Sequence, residues 1–456
     1  MKTFAFIFSF TISLHLSFAQ KPSDTIPLLL DFPVLDLPYQ SYASRTTGNF
    51  FAGYASPSMK QSLQISSNFY SSAHYGIKQA FSGVKGKTLR NLLTYGAVGI
   101  VDIVSIFVPF GNAWLHEEYH RAVLTRREAN SANEVNTFPF GKTAIKVYRL
   151  TDEDLERIHN NHQNDWRRLQ TAGGESELHL IQNLQRNNFF YNQKQPNIFL
   201  YWLITLSVGD YVRACGREDI DETTNKFLAE EGTNIADRDF TGPDYTAWAY
   251  SLFRPHLPFS ARGTHPSGVG INRYIKYADL SQEERDFLRK QGAWQWVNFL
   301  SPTFLGIEKI RLKASPEGEH YGNFAMRSIL TPFGNDLMAD VWYQSPKINA
   351  FAVVHSYFNR HTYFPGLEAG VIDYNLFNDK IAFSPSIAFW LQPKNLSFDE
   401  KKGELGGMLR LKVLANTGTL CPYVELQAKT NGWVLGNVFL ENNVSVNAGL
   451  TLAFRR

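Results

Sequence analysis

Two histidines four positions apart, with a glutamate directly after the first, stand in the segment Trp114-Leu115-His116-Glu117-Glu118-Tyr119-His120-Arg121. On a helix, His116 and His120 lie one turn apart and leave from the same face. Two imidazoles so placed can reach one metal at about 2.0–2.1 Å, which suits tetrahedral zinc. Glu117, next to the first of them, can take a proton from a water that the metal activates. A catalytic site of this kind also needs a third protein ligand and a position left open for water. Zn2+ is therefore the cofactor to expect, and hydrolysis the chemistry.

The segment is a complete HExxH motif, and over this one helix the chain resembles the zincin superfamily of zinc metallopeptidases. The resemblance implies that His116 and His120 are zinc ligands and that Glu117 is the general base. The metzincin extension asks for glycine at position 123 and histidine at 126, where this chain has Val123 and Arg126. Gluzincins take a glutamate from a later helix instead. Glu128 and Glu134 lie too near to return from a separate helix, which makes Glu175, in Thr171-Ala172-Gly173-Gly174-Glu175-Ser176-Glu177-Leu178-His179, the candidate third ligand. The glycine pair permits close packing on the metal helix. Glu177 and His179 are the alternatives, His179 sharing a face with Glu175 at i, i+4. The same residues also read as an ordinary acidic helix start. Zinc peptidases commonly add a group that stabilises the oxyanion. His256, His265 and Tyr274, in a Gly- and Pro-rich stretch, are candidates for that part. His159 and His162 read more simply as core or surface histidines.

Around these residues the chain divides into four parts. Met1-Lys2-Thr3, the apolar run Phe4 to Phe18 and the small Ala19 form a secretory signal over 1–20. Residues 21–85 read as an extended, loop-rich lead-in. Residues 86–305 read as a mainly helical metal-binding domain. Within it the apolar stretch Leu92 to Val108 is near the lower limit for a membrane span and is interrupted by Asp102, so a buried core helix is expected. Pro109 and Gly111 end it, and the metal helix starts near Asn112 or Ala113. One helix opens at Thr151-Asp152-Glu153-Asp154, another is expected to end at Ala172-Gly173-Gly174, and a third to begin at Glu175. Ser281-Gln282-Glu283-Glu284 is a capping box.

Beyond about residue 317 the hydrophobic period changes to two. Val444, Val446, Ala448, Leu450, Leu452 and Phe454 alternate with Ser445, Asn447, Gly449, Thr451 and Ala453, and about eight such segments recur between turn residues. Their length is that of tilted membrane strands. The fold class expected is α+β: a zincin-like helical domain followed, over 306–456, by an antiparallel β-barrel of about eight strands. Phe454 resembles the aromatic terminus of outer-membrane barrels, although Arg455 and Arg456 follow it. A soluble barrel or sandwich would give the same alternation with its apolar face inward.

Composition agrees with an envelope address. Aromatic residues make up 14%, with 35 Phe and 21 Tyr, an excess that asks for a membrane interface or a large aromatic core. A net charge of +3 implies no nucleic-acid partner. Cys215 and Cys421 permit one disulfide without requiring it. The expectation is a zinc-dependent hydrolase, a metallopeptidase of the bacterial envelope, acting on a peptide or protein substrate. Its barrel would sit in outer-membrane lipid with the helical domain facing the periplasm. The competing readings are a non-enzymatic barrel with a helical plug, and a soluble secreted protease.

Overall fold

The computed structural model describes residues 26–136, 145–316 and 318–454; the expected signal segment lies outside the described residues. The chain opens with strand β1 (Leu28–Leu37) and helices α1 (Tyr39–Thr47) and α2 (Met59–Ala80). Helix α3 (Lys87–Val104) precedes α4 (Asn112–Arg126), which carries the HExxH motif. A small ribbon of β2 (Ala132–Asn133) and β3 (Val147–Tyr148) leads to α5 (Asp152–Asn161) and α6 (Gln163–Tyr191). Four helices complete this part: α7 (Ile198–Cys215), α8 (Ile220–Glu230), α9 (Asp244–Phe253) and α10 (Gln282–Trp294). Next come β4 (Ile310–Ser315), β5 (Gly318–Thr331), β6 (Gly334–Gln344), β7 (Asn349–Phe358) and β8 (Tyr363–Ile372). The last strands are β9 (Tyr374–Leu376), β10 (Ile381–Pro393), β11 (Gly403–Ala415), β12 (Leu420–Lys429) and β13 (Asn443–Phe454).

The fold is α+β. Eleven strands form one antiparallel sheet in the order β1-β13-β12-β11-β10-β8-β7-β6-β5-β4, with the short β9 pairing to β10. The eight alternating segments of the sequence each fall in one strand of this sheet. Its further members are β4, β9 and β1, the last contributed by the stretch expected to be loop-rich. Leu28 of β1 faces Phe454 of β13, so the first described strand pairs with the last. Strand pairing leaves the sheet open, with β1 and β4 at its edges. A continuous run of contacts links the two ends: β1 packs on α2, α2 on α3, α3 on α7, and α7 on the 295–305 turns, which meet β5.

The sheet is inverted relative to one that faces water. On β12, Val424 and Leu426 are 46% and 51% exposed, while Glu425, Gln427 and Lys429 between and beyond them are buried. On β10 and β11 the exposed side chains include Ile387, Phe389, Leu405 and Leu409. The covered face wraps α6 and α2, which satisfy its polar groups. Lys60 donates to Glu425 at 2.6 Å, Lys412 reaches Asp31 at 3.1 Å, and Gln182 and Arg186 bind Asp340 at 2.9 and 2.8 Å. Buried polar groups persist only when partnered in this way. Aromatic side chains such as Trp342, Trp390 and Tyr357 fill the space between them and join sheet and helices into one core.

Three expectations are corrected. The lead-in is not loop-rich throughout, because α2 spans 22 residues and is opened by a capping box between Ser58 and Gln61. Its buried face carries Ser62, Ser66, Ser67, Ser71 and His74, so no apolar stripe announced it. Helix α3 is not a buried core helix: only Thr94, Val98 and Asp102 are covered, while Leu92 is 68% and Ile100 66% exposed. Gly173-Gly174 does not end a helix, because α6 runs through both as one 29-residue element. Cys215 and Cys421 are both buried and free. Among the described residues, α7 alone is long and apolar enough to cross a membrane, and 44% of it is buried.

Candidate metal centre

His116 and His120 leave one face of α4 with their ring centroids 4.9 Å apart. The Nε2 atoms of both approach Oδ2 of Asp244, at 3.2 and 3.5 Å. Asp244 is the first residue of α9. It is delivered by a tight loop in which Asp239 accepts the Phe240 and Gly242 N–H groups at 2.7 and 3.0 Å. The Asp244 N–H donates to the Tyr211 hydroxyl of α7 at 2.9 Å. One ligand atom from each of His116, His120 and Asp244 lies within 4.8 Å of the other two.

The second nitrogen of each ring is also held. His116 Nδ1 faces Glu177 Oε2 at 3.2 Å, and the other carboxylate oxygen accepts from the Asn112 amide. His120 Nδ1 bonds the Leu169 carbonyl of α6. A carbonyl accepts only from N–H, so His120 Nδ1 carries a hydrogen and Nε2 is the atom turned toward Asp244. This is the outer support that metal-binding histidines use to fix ring and tautomer. The glycine pair explains how α6 comes so near. A Cβ on Gly173 would lie 2.1 Å from His116 Nε2, and one on Gly174 2.2 Å from the Tyr245 hydroxyl.

The electrostatics match a cation site. Burial pushes the Asp244 carboxyl up, but the facing His120 and His116 outweigh it and hold the group down at about 2. Burial alone would depress His116, yet its bonds to Asp244 and Glu177 raise it well above the usual imidazole range. The proton on His116 thus stands where a divalent ion would take its place. Two imidazoles and a carboxylate are a donor set that zinc accepts in catalytic sites. Glu117 is raised well above the carboxylate range, first by burial and then by Asp244 and Asp239, with His116 pulling the other way. It makes no hydrogen bond among the described residues and faces a cavity of about 270 Å³ shared with His116, His120, Asp244 and Tyr211. Asp239, on the same wall, is pushed up to about 8 by burial and by the nearby Glu231 and Asp244.

The other candidates are elsewhere engaged. Glu175, expected as the third ligand, is fully buried on the far side of α6. There it pairs with Arg168 at 2.7 Å and accepts from the Trp433 indole and the Gly436 N–H. Glu177 supports His116 and does not stand in the three-residue group. His179 meets the Tyr119 hydroxyl at 3.0 Å and packs under Gly436. His265 and Tyr274 both bind Glu231, at 3.2 and 3.0 Å, and His256 is exposed on a loop. None of these three lines the cavity of the metal group. His159 packs against Trp166 and Phe259, and His162 joins α5 to α6. Sequence reasoning missed Asp244 and Tyr211. The signal for Asp244 was slight, an acidic residue after Gly242-Pro243 at the start of an aromatic helix.

No protein-family model matches the chain, no curated protein is detectably similar to it, and no solved structure matches its fold.

Proposed function

We propose that the protein is a zinc-dependent hydrolase of the zincin type, set in the outer membrane of a bacterial envelope. The observation that carries the reading is the meeting of His116, His120 and Asp244 around one point, with Glu117 on the same cavity wall. Zinc held there supplies a Lewis acid for a substrate carbonyl and lowers the pKa of water. His116, His120 and Asp244 hold and orient it, and Glu177 and Leu169 keep the rings in place. Glu117, in its carboxylate form, would accept a proton from the attacking water, and the burial that raises its affinity for that proton would hold it until it returns to the leaving group. The Tyr211 hydroxyl accepts the Asp244 N–H and keeps its own proton to offer an oxyanion.

The membrane address rests on the inverted sheet. An apolar exposed face over a polar, helix-filled interior is the pattern of an outer-membrane barrel and the reverse of a water-soluble sandwich. We read the sheet as a barrel wall completed by α2, α3 and α7. Peptide hydrolysis in the envelope is what the zincin resemblance implies.

Elemental analysis of the purified protein tests the centre. One zinc per chain is expected, lost in His116→Ala and in Asp244→Ala. Wild-type protein that takes up no zinc sinks the reading. Glu117→Gln should keep the metal and lose turnover by about 10²–10⁴-fold.

A further inference from the structure

The metal cavity does not open onto a polar cleft. Most of its aliphatic and aromatic lining comes from α7, through Leu200, Leu203 and Ile204, and from Ile106 just after α3, while its polar lining is gathered with the ligands. Its lining residues that reach the surface include Ile106, Leu203 and Ser207 on one side and Ile145 and Lys146 on the other. The mouth therefore lies beside the outer faces of α3 and α7. Those faces are apolar and exposed, with Leu92, Ile100 and Ile103 on one helix and Phe199, Trp202 and Leu206 on the other. The two helices touch, Phe199 covering Gly99, and they sit in the run of contacts that links β1 to β5. The apolar belt of the sheet thus continues across the helices that flank the entrance.

We propose that the substrate reaches the metal sideways from the bilayer and is a lipid-borne molecule whose acyl chain lies along α7. This rests on the zinc hydrolase reading above. The scissile bond is the carbonyl bond at the chain's polar end. Water adds to that carbon, the bond to nitrogen or oxygen breaks, and the products are a fatty carboxylate and an amine or alcohol. Glu117 passes the proton from water to the departing atom. An extended aqueous peptide fits this entrance poorly, because most of its backbone N–H and C=O groups would meet Ile106, Leu203 and Ile145, with only Ser207 and Lys146 to bond.

The test uses the zinc-loaded full chain in lipid nanodiscs, titrated by calorimetry against empty nanodiscs as reference. The probes are straight-chain hydroxamic acids from acetohydroxamate to dodecanohydroxamate, and one N-blocked dipeptide hydroxamate. Affinity, referred to the free aqueous probe after its measured partition into empty nanodiscs is taken into account, is expected to rise about fourfold per methylene until the cavity is filled. Ser207→Trp, at the mouth, should weaken the dodecyl probe at least tenfold and leave acetohydroxamate unchanged. Val424→Trp, on the exposed face of β12, should leave the whole series unchanged. A flat chain-length series, or a dipeptide hydroxamate that binds more tightly than the dodecyl probe, overturns the proposal while leaving the zinc site standing. Acetohydroxamate that binds wild type no better than His116→Ala overturns the zinc reading, and this inference with it.

Discussion

A proton sits on His116 where a metal ion would take its place, and that exchange can be counted. His116 is raised well above the usual imidazole value by Asp244 and Glu177, so in the metal-free protein at neutral pH it is charged. Asp244, held at about 2, is already ionised and releases nothing. Zinc uptake should therefore expel about one proton from His116, and affinity should fall as pH drops below its raised pKa. Calorimetry of zinc binding to the wild type in buffers of different ionisation enthalpy reads this directly: the slope should be about one proton near neutral pH and shrink as pH rises through the raised value of His116. Glu177→Ala, which removes the support of His116 Nδ1, should weaken zinc by about 10–100-fold without abolishing it. The two histidines and Glu117 were legible because helical spacing fixes their relation within a single turn. Asp244 was not, because it stands 128 residues beyond His116 and only tertiary packing brings it there. Glu175 drew notice as an acidic residue after two glycines. Its burial against Arg168 and Trp433 depends on a sheet strand and loop that no local pattern foretells.

At the scale of elements, α6 separates two environments that the site needs apart. One side of the helix supports the histidines of α4, and the other is bound into the sheet interior. Gly173 is the point of closest approach, so Gly173→Ala should cost about 1–3 kcal/mol through overpacking and reduce zinc affinity as His116 is displaced. Glu175→Gln should behave oppositely. It breaks a buried ion pair, a loss of about 3–5 kcal/mol in chemical denaturation, yet keeps one zinc per chain. Zinc lost in Glu175→Gln protein that remains folded would restore that residue as a ligand. Helices with capping residues and an apolar stripe, such as α5 and α10, were readable from sequence. Helix α2 buries serines instead of aliphatic residues, and α3 exposes its apolar side, so rules that equate apolar with inside misplace both.

Taken whole, the molecule carries its polar groups in and its apolar groups out along most of the sheet. Leu426→Arg should cost about 2–4 kcal/mol of unfolding free energy in vesicles if that face meets the bilayer centre, and within about 0.5 kcal/mol if it meets water. Urea titration in vesicles, followed by tryptophan fluorescence, separates the two. The alternation was plain in the sequence; its direction was not, since period two says nothing about which side faces the solvent. The closing contact, Leu28 beside Phe454, has a consequence in time. Among the described residues β1 has no strand partner until β13 has been made, and pairs so remote carry the largest loop-closure cost. This strand thus waits on the far end of the sheet, with only α1 and α2 to lean on until β13 has formed, and its pairing is a late event of assembly.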